Sequence, residues 1–175
     1  EGESPADAMK YRQLVGALMY LMICTRPDIA FAVNQLTRHF QSPQMHHWKA
    51  ALRVLAYLKT TRELGLSFPR GCGPAEMEAC FHGCRDLTVA EGSKAGLVGW
   101  SDADWAGDEE DRKSTTGYAV QLRNGTLLSY GCRKQSITAD SSAVAELIAL
   151  NSATKEVLWQ KRLFVELFGR DAGTV

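Results

Sequence analysis

Between Gly96 and Gly131 the chain reads "GLVGWSDADWAGDEEDRKSTTGYAVQLRNGTLLSYG", and the fold turns on how this stretch is parsed. "GLVGWSD" has strand character. "TGYAVQL" alternates at the period of a half-buried strand, and "TLLSYG" follows Asn124-Gly125, a pair suited to a tight hairpin turn. Three strands with short connections predict an antiparallel sheet. Between the first two strands the chain turns acidic and then basic, with Asp102 and Asp104 at the end of the first strand and Asp108 just beyond. Aspartates at a strand end can form one arm of a magnesium site, because hard cations take carboxylate oxygens; the same acids also suit a solvated turn.

Downstream, "SSAVAELIALNSATKEVLWQKRLFVEL" predicts a long helix from about Asp140 to Phe168, carrying Ala145, Ile148, Ala149, Val157, Leu158, Leu163 and Leu167. Glu146 lies in its small-residue first turns, where a solvated glutamate is less expected. If the helix packs across the strands, Glu146 reaches the end of the first strand beside Asp102. Strands followed by a helix make an α+β arrangement.

Upstream, three helices are expected in the first sixty or so residues. Ser4-Pro5 with Asp7 opens the first, with Leu14, Leu18, Leu21 and Met22 at helical spacing. Arg26-Pro27-Asp28 opens the second, with Ile29, Val33, Leu36 and Phe40 on one face. Ser42-Pro43 opens the third, where Trp48, Leu52, Leu55 and Leu58 line up. The organisation read from this is a helical unit over 1–68, a linker or loop insertion over 69–95 and a strand-bearing domain over 96–175. "LGLSF", at the end of the first part, suits a short strand.

Formal net charge is zero, but residues 1–70 carry nine Lys and Arg against five Asp and Glu, while 71–175 carry eleven against fifteen. The asymmetry is mild, of a kind compatible with nucleic acid. Five cysteines without an evident secretory leader indicate reduced thiols and an intracellular setting, cytoplasmic or nuclear. The run "LVGALMYLMIC" is too short to span a bilayer, so no membrane span is expected. Cys72, Cys80, His82 and Cys84 offer four zinc-type donors but lack the paired short spacings of zinc sites. His46-His47, beside Trp48, reads as surface or packing. A chain opening at Glu1 rather than methionine reads as a piece of something longer.

Four stretches, "YRQLVGALMYLMICTRPDIAFAVNQLTRHFQSP", "HWKAALRVLAYLKTT", "VGWSDADWAGDEEDRKSTTGY" and the long-helix segment quoted above, resemble the end of a copia-type retrotransposon polyprotein. In order they are similar to the thumb and connecting part of its reverse transcriptase and to the opening of its ribonuclease H domain. The resemblance covers most of the chain apart from residues 70–95. It implies a three-helix unit followed by a truncated ribonuclease H-like fold. It also implies processing of an RNA–DNA hybrid with two magnesium ions held by four carboxylates. Asp102 matches the first of these and Glu146 the second. Where the family has "STEAEY", Val144 replaces its first acid and Leu147 its tyrosine, whereas Glu146 is retained.

The fourth strand of that fold, with a further aspartate, and the last catalytic aspartate would lie beyond Val175. The expectation is therefore a chain with two of four metal ligands, weak magnesium binding and an incomplete nuclease; Asp104 and Asp108 are the substitute donors at hand. RNA–DNA hybrid or duplex nucleic acid is the implied partner, with Arg12, Arg26, Arg38, Lys49, Arg53 and Lys59 facing phosphates or, equally, ordinary solvated helix faces. The alternative is a domesticated fragment serving as a non-catalytic interaction or scaffold subunit. In either case the first strand, central in the resembled fold, would have an uncovered edge at Leu97–Ser101, to be paired by a second copy or a protein partner.

Overall fold

The computed structural model describes residues 7–68, 96–108, 111–122 and 125–168, and shows an α+β protein of two compact units, Glu1–Leu66 and Ser67–Val175. The possible zinc donors Cys72, Cys80, His82 and Cys84 lie outside the described residues, as does the Ser4-Pro5 helix start. None of the helices described is long and apolar enough to cross a membrane.

The first unit contains α1 (Ala8–Cys24), a single 3-10 turn (Pro27–Ile29) leading into α2 (Ala30–Thr37), and α3 (Met45–Thr60). Asp7 caps α1, its carboxylate accepting the N–H groups of Met9 and Lys10 at 3.0 and 3.2 Å. The proline at 27 favours the tight turn, since its missing N–H falls where a helix leaves one unused. α3 starts two residues later than Ser42-Pro43 suggested. Gln44 is its cap, and the ring of His47 accepts the Gln44 N–H through Nδ1 at 3.0 Å, closing a capping box. His39 stacks on His47 with ring centroids 3.7 Å apart, and His46 meets His47 edge-on. The histidine pair thus serves local structure, as its position suggested. "LGLSF" forms no strand.

Tyr11, Val15, Leu18, Ile29, Val33, Leu36, Ala51 and Leu58 make the core of this unit. The face expected of α2 is the one buried. On α3 the face is rotated: Ala51 and Leu58 are buried while Leu52 and Leu55 are over 40% exposed, and on α1 Leu21 yields to Tyr11 and Val15. At these changed positions an aromatic residue, Tyr11, and a small one, Ala51, take buried places, and Leu52 and Leu55 are left outside. The Tyr11 hydroxyl donates to the Leu36 carbonyl at 2.8 Å, and burial pushes its pKa up to about 12.

The second unit is a three-stranded antiparallel sheet in the order β1 (Leu97–Asp104), β2 (Thr115–Leu122), β3 (Leu127–Lys134), followed by α4 (Ser142–Phe168). β1 and β3 run further than expected, so β1 continues past Asp102 and ends on Asp104. Gly125 adopts φ +85°, the left-handed conformation that a tight turn requires, and its N–H reaches the Leu122 carbonyl at 2.9 Å.

α4 packs on the face of β1 that carries Gly99, where a Cβ in place of the glycine hydrogen would come to 2.7 Å from Val157 Cγ2. Ala145, Ala149 and Ala153 are buried beneath the helix, whereas Leu158 and Leu167 of the expected face are exposed. Polar joints hold the β3 side: Ser129 donates to Glu156 at 2.7 Å and Arg133 to Ser152 at 2.9 Å.

Adding a side chain at the closest approach should therefore cost stability. Gly99→Val is expected to destabilise the protein by about 1–3 kcal/mol through overpacking, with much of the loss recovered by adding Val157→Ala; urea unfolding of the single and double variants is the check. Tyr11→Phe, which deletes one buried hydrogen bond, should cost about 1 kcal/mol.

Candidate functional site

Asp102 and Asp104 are both exposed on β1, in register with Gly117 and Thr115 of β2. Successive residues of a strand point to opposite faces. Gly99 faces α4, so Asp102, three residues on, leaves β1 from the opposite face, with Trp100 and Asp104. Glu146 is exposed on α4, next to the buried Ala145.

One side chain ties these two neighbourhoods together. Gln135, 5% exposed and just past β3, donates through its amide nitrogen to Thr116 Oγ1 and to the Ala145 carbonyl, each at 3.0 Å. Thr116 is the register partner of Ala103, the residue after Asp102, and Ala145 directly precedes Glu146. The two carboxylates are thus brought to one end of the unit but not to one face of β1. The start of α4 is fixed further by Ser141, whose hydroxyl accepts the Val144 N–H and whose carbonyl accepts that of Ala145.

The acidic turn after β1 is tightly built. Ala106 takes a positive φ of 52°, and its N–H is held by the Ser114 hydroxyl at 3.1 Å. The Trp105 indole N–H donates to the Ala139 carbonyl at 3.2 Å while the ring stays about half exposed. Lys134, the last residue of β3, reaches into the turn and contacts Asp108 at 2.6 Å and Asp111 at 2.9 Å. Asp108 is thus engaged by an ammonium group rather than turned toward Asp102. Among the described residues no three His, Cys, Asp or Glu side chains gather as a metal site.

The basic candidates of the first unit differ in their surroundings. Arg26 is buried: it forks onto Asp28 at 2.9 and 2.7 Å, donates to the carbonyl and hydroxyl of Thr61, and lies over the Tyr57 ring. Its guanidinium joins the α1–α2 corner to the end of α3, which corrects its expected place on a phosphate-facing surface. Arg12 donates to the Phe40 carbonyl at 2.9 Å, and Arg38 to Asn34 at 3.3 Å. Lys49, Arg53 and Lys59 are exposed on α3, the first two a helical turn apart. Gln135, Lys134 and Trp105 were not singled out from the sequence; for the first two the signal available was a polar "RKQS" run at the end of a strand.

No family model matches the sequence, and no solved structure matches it. Over 149 residues the chain is 43% identical to secreted RxLR effector protein 161 of Plasmopara viticola, a match spanning 85% of this chain and 89% of that protein. It is 38% identical over 157 residues to the retrovirus-related Pol polyprotein from transposon TNT 1-94 of Nicotiana tabacum. The corresponding polyprotein from transposon RE2 of Arabidopsis thaliana is 34% identical over 166 residues. These matches cover 90% and 95% of this chain but only 10% of either polyprotein.

The Lys134 contacts carry a definite pH dependence. The hydrogen bond from Lys134 holds the Asp111 carboxyl below the usual carboxylate range, while the bonds to Asp108 and then Asp111 raise the Lys134 pKa. A lowered carboxyl pKa stabilises the folded state above the ordinary value and loses that effect as pH falls through the folded one; a raised ammonium pKa does so below its ordinary value and loses it in strong alkali. The turn should therefore stay closed from about pH 5 to 9. Backbone amide shifts of Asp111 and Lys113 should titrate only in acid below the ordinary aspartate midpoint of about 3.9, and Lys134→Met should move that midpoint up. An unchanged midpoint in the variant would exclude this coupling.

Proposed function

Because this chain belongs to the retrovirus-related Pol polyproteins of copia-type transposons, we propose that it is the segment in which the helical end of the reverse transcriptase passes into the ribonuclease H module. The observation that supports this reading is the presence, at one end of the second unit, of an acid near the end of the first strand and an acid near the start of the following helix. Gln135 bonds the carbonyl of Ala145, the residue before Glu146, and the hydroxyl of Thr116, whose neighbour Gly117 is the strand partner of Asp102. A helical unit preceding an antiparallel sheet and its crossing helix supports the same order of parts.

In this reading the segment handles an RNA–DNA hybrid, and its own contribution is positioning. Lys49 and Arg53, exposed one turn apart, suit successive phosphates, and the affinity they supply is electrostatic and salt-sensitive. With one oxygen from each of Asp102 and Glu146, magnesium would take most of its coordination from water and bind weakly. No cleavage step is assigned to this donor set. In the Plasmopara viticola protein the similar stretch makes up 89% of the length.

Two measurements test the proposal. Incubated with an RNA–DNA hybrid and magnesium, this chain should show no cleavage; turnover abolished by Asp102→Asn or Glu146→Gln would overturn the incomplete-site reading. Fluorescence anisotropy with the same hybrid should show binding that weakens steeply with salt and falls roughly tenfold in the Lys49→Ala, Arg53→Ala double variant, consistent with the loss of two phosphate contacts. Salt-independent binding, or none, would exclude the nucleic-acid role.

A further inference from the structure

Among the described residues β1 pairs on one side only, with β2, and its other side is the rim of the sheet. All eight residues of β1 keep unbroken register with β2; the irregularity in the sheet falls between β2 and β3, at Val120 and Gln121. The rim is therefore regular over about 26 Å. Sheet edges are ordinarily protected by proline, lysine or a bulge, and Leu97–Ser101 has none of these. Its charges, Asp102 and Asp104, are both at one end.

The helix above contributes a second open surface. Ser152 and Glu156 lean toward β3, through their bonds to Arg133 and Ser129, whereas Val157 leans toward β1 at Gly99. Following the β1 side of α4 at helical spacing from Val157 leads to Leu150 and Glu146 in one direction and to Lys161 in the other. Leu150 is 52% exposed there.

We propose that this rim is an interface with a second copy of the chain, β1 running antiparallel to β1 across a twofold axis to make one six-stranded sheet. Charge selects the direction: antiparallel pairing sends the two pairs of aspartates to opposite ends, whereas parallel pairing would set like charges side by side. Spacing selects the partner. α4 packs on both β1 and β2, so its axis sits about half a strand spacing inside the rim. Two copies joined at roughly 4.8 Å then bring their α4 helices to about 10 Å, a normal helix packing distance. The same axis that pairs the strands thereby covers Leu150, and it runs the helices antiparallel, directing Glu146 of one copy toward the end of the partner helix that carries Lys161. Such a contact is self-complementary and closes at two.

Light scattering and sedimentation of the full chain, from micromolar to high concentration, should show a monomer–dimer equilibrium, with amides of Leu97–Ser101 protected from hydrogen exchange as dimer forms. Leu150→Glu, on an exposed helix position that leaves the circular dichroism unchanged, and Trp100→Lys, on the strand itself, should each weaken association at least tenfold. A chain that stays monomeric throughout would overturn the proposal, whether its β1 amides exchange quickly as a free rim or slowly because another part of the chain covers them. So would a dimer indifferent to Leu150→Glu.

Discussion

The close approach of α4 to β1 depends on the missing side chain at Gly99. Val157 occupies the space a Cβ would need, and the alanines at 145, 149 and 153 let the rest of the helix settle at the same depth. Small residues bury little apolar area each, so such a joint draws its strength from many short contacts rather than from a few large side chains. On the β3 side polar pairs take over: Ser129 with Glu156, Arg133 with Ser152, and Gln135 with Ala145. The helix is thus seated on an apolar hinge along β1 and oriented by hydrogen bonds along β3. The positions of Glu146 and of every residue on the open flank follow from that seating.

The helical unit solves a different problem. Its apolar core is assembled from three helices, and the corner between α1 and α2 is secured by a charged residue. Arg26 satisfies five donors' worth of geometry only in part, but its fork onto Asp28 and its bonds to Thr61 leave the guanidinium paired where burial would otherwise penalise it. The hydrogen bond from Arg26 correspondingly holds the Asp28 carboxyl below its usual range. An arginine used in this way is withdrawn from any surface role, which shifts the electropositive character of the unit onto α3.

What the sequence made legible, and what it hid, separates along physical lines. The three strands, the turn at Gly125 and the buried face of α2 were readable because alternation, turn chemistry and helical spacing each left a single solution. The face of α3 was not, because leucines at 52 and 55 outweigh an alanine at 51 on any scale of apolarity, while the crowded position needs the smaller residue. Arg26 looks like any surface arginine until Thr61, 35 positions away, is placed beside it. At the carboxylate end Asp102 and Glu146 could be picked out as residue types, but their separation onto different faces depends on the strand running through Asp102 to Asp104. Gln135 and Lys134 act across elements distant in sequence, and no local pattern announces such contacts.

The tether between Trp105 and Ala139 has an optical consequence. An indole whose N–H is held by a backbone carbonyl while its ring is half in water sits in an environment unlike that of a freely solvated side chain. Trp105 directly follows β1, and Ala139 belongs to the connection leading into α4, so the two ends of this bond belong to separate parts of the second unit. With the tryptophans at 48, 100 and 159 replaced by phenylalanine, its emission becomes a gauge of whether those parts remain joined, one that needs no attached label and reports from the end of β1 that carries the acids.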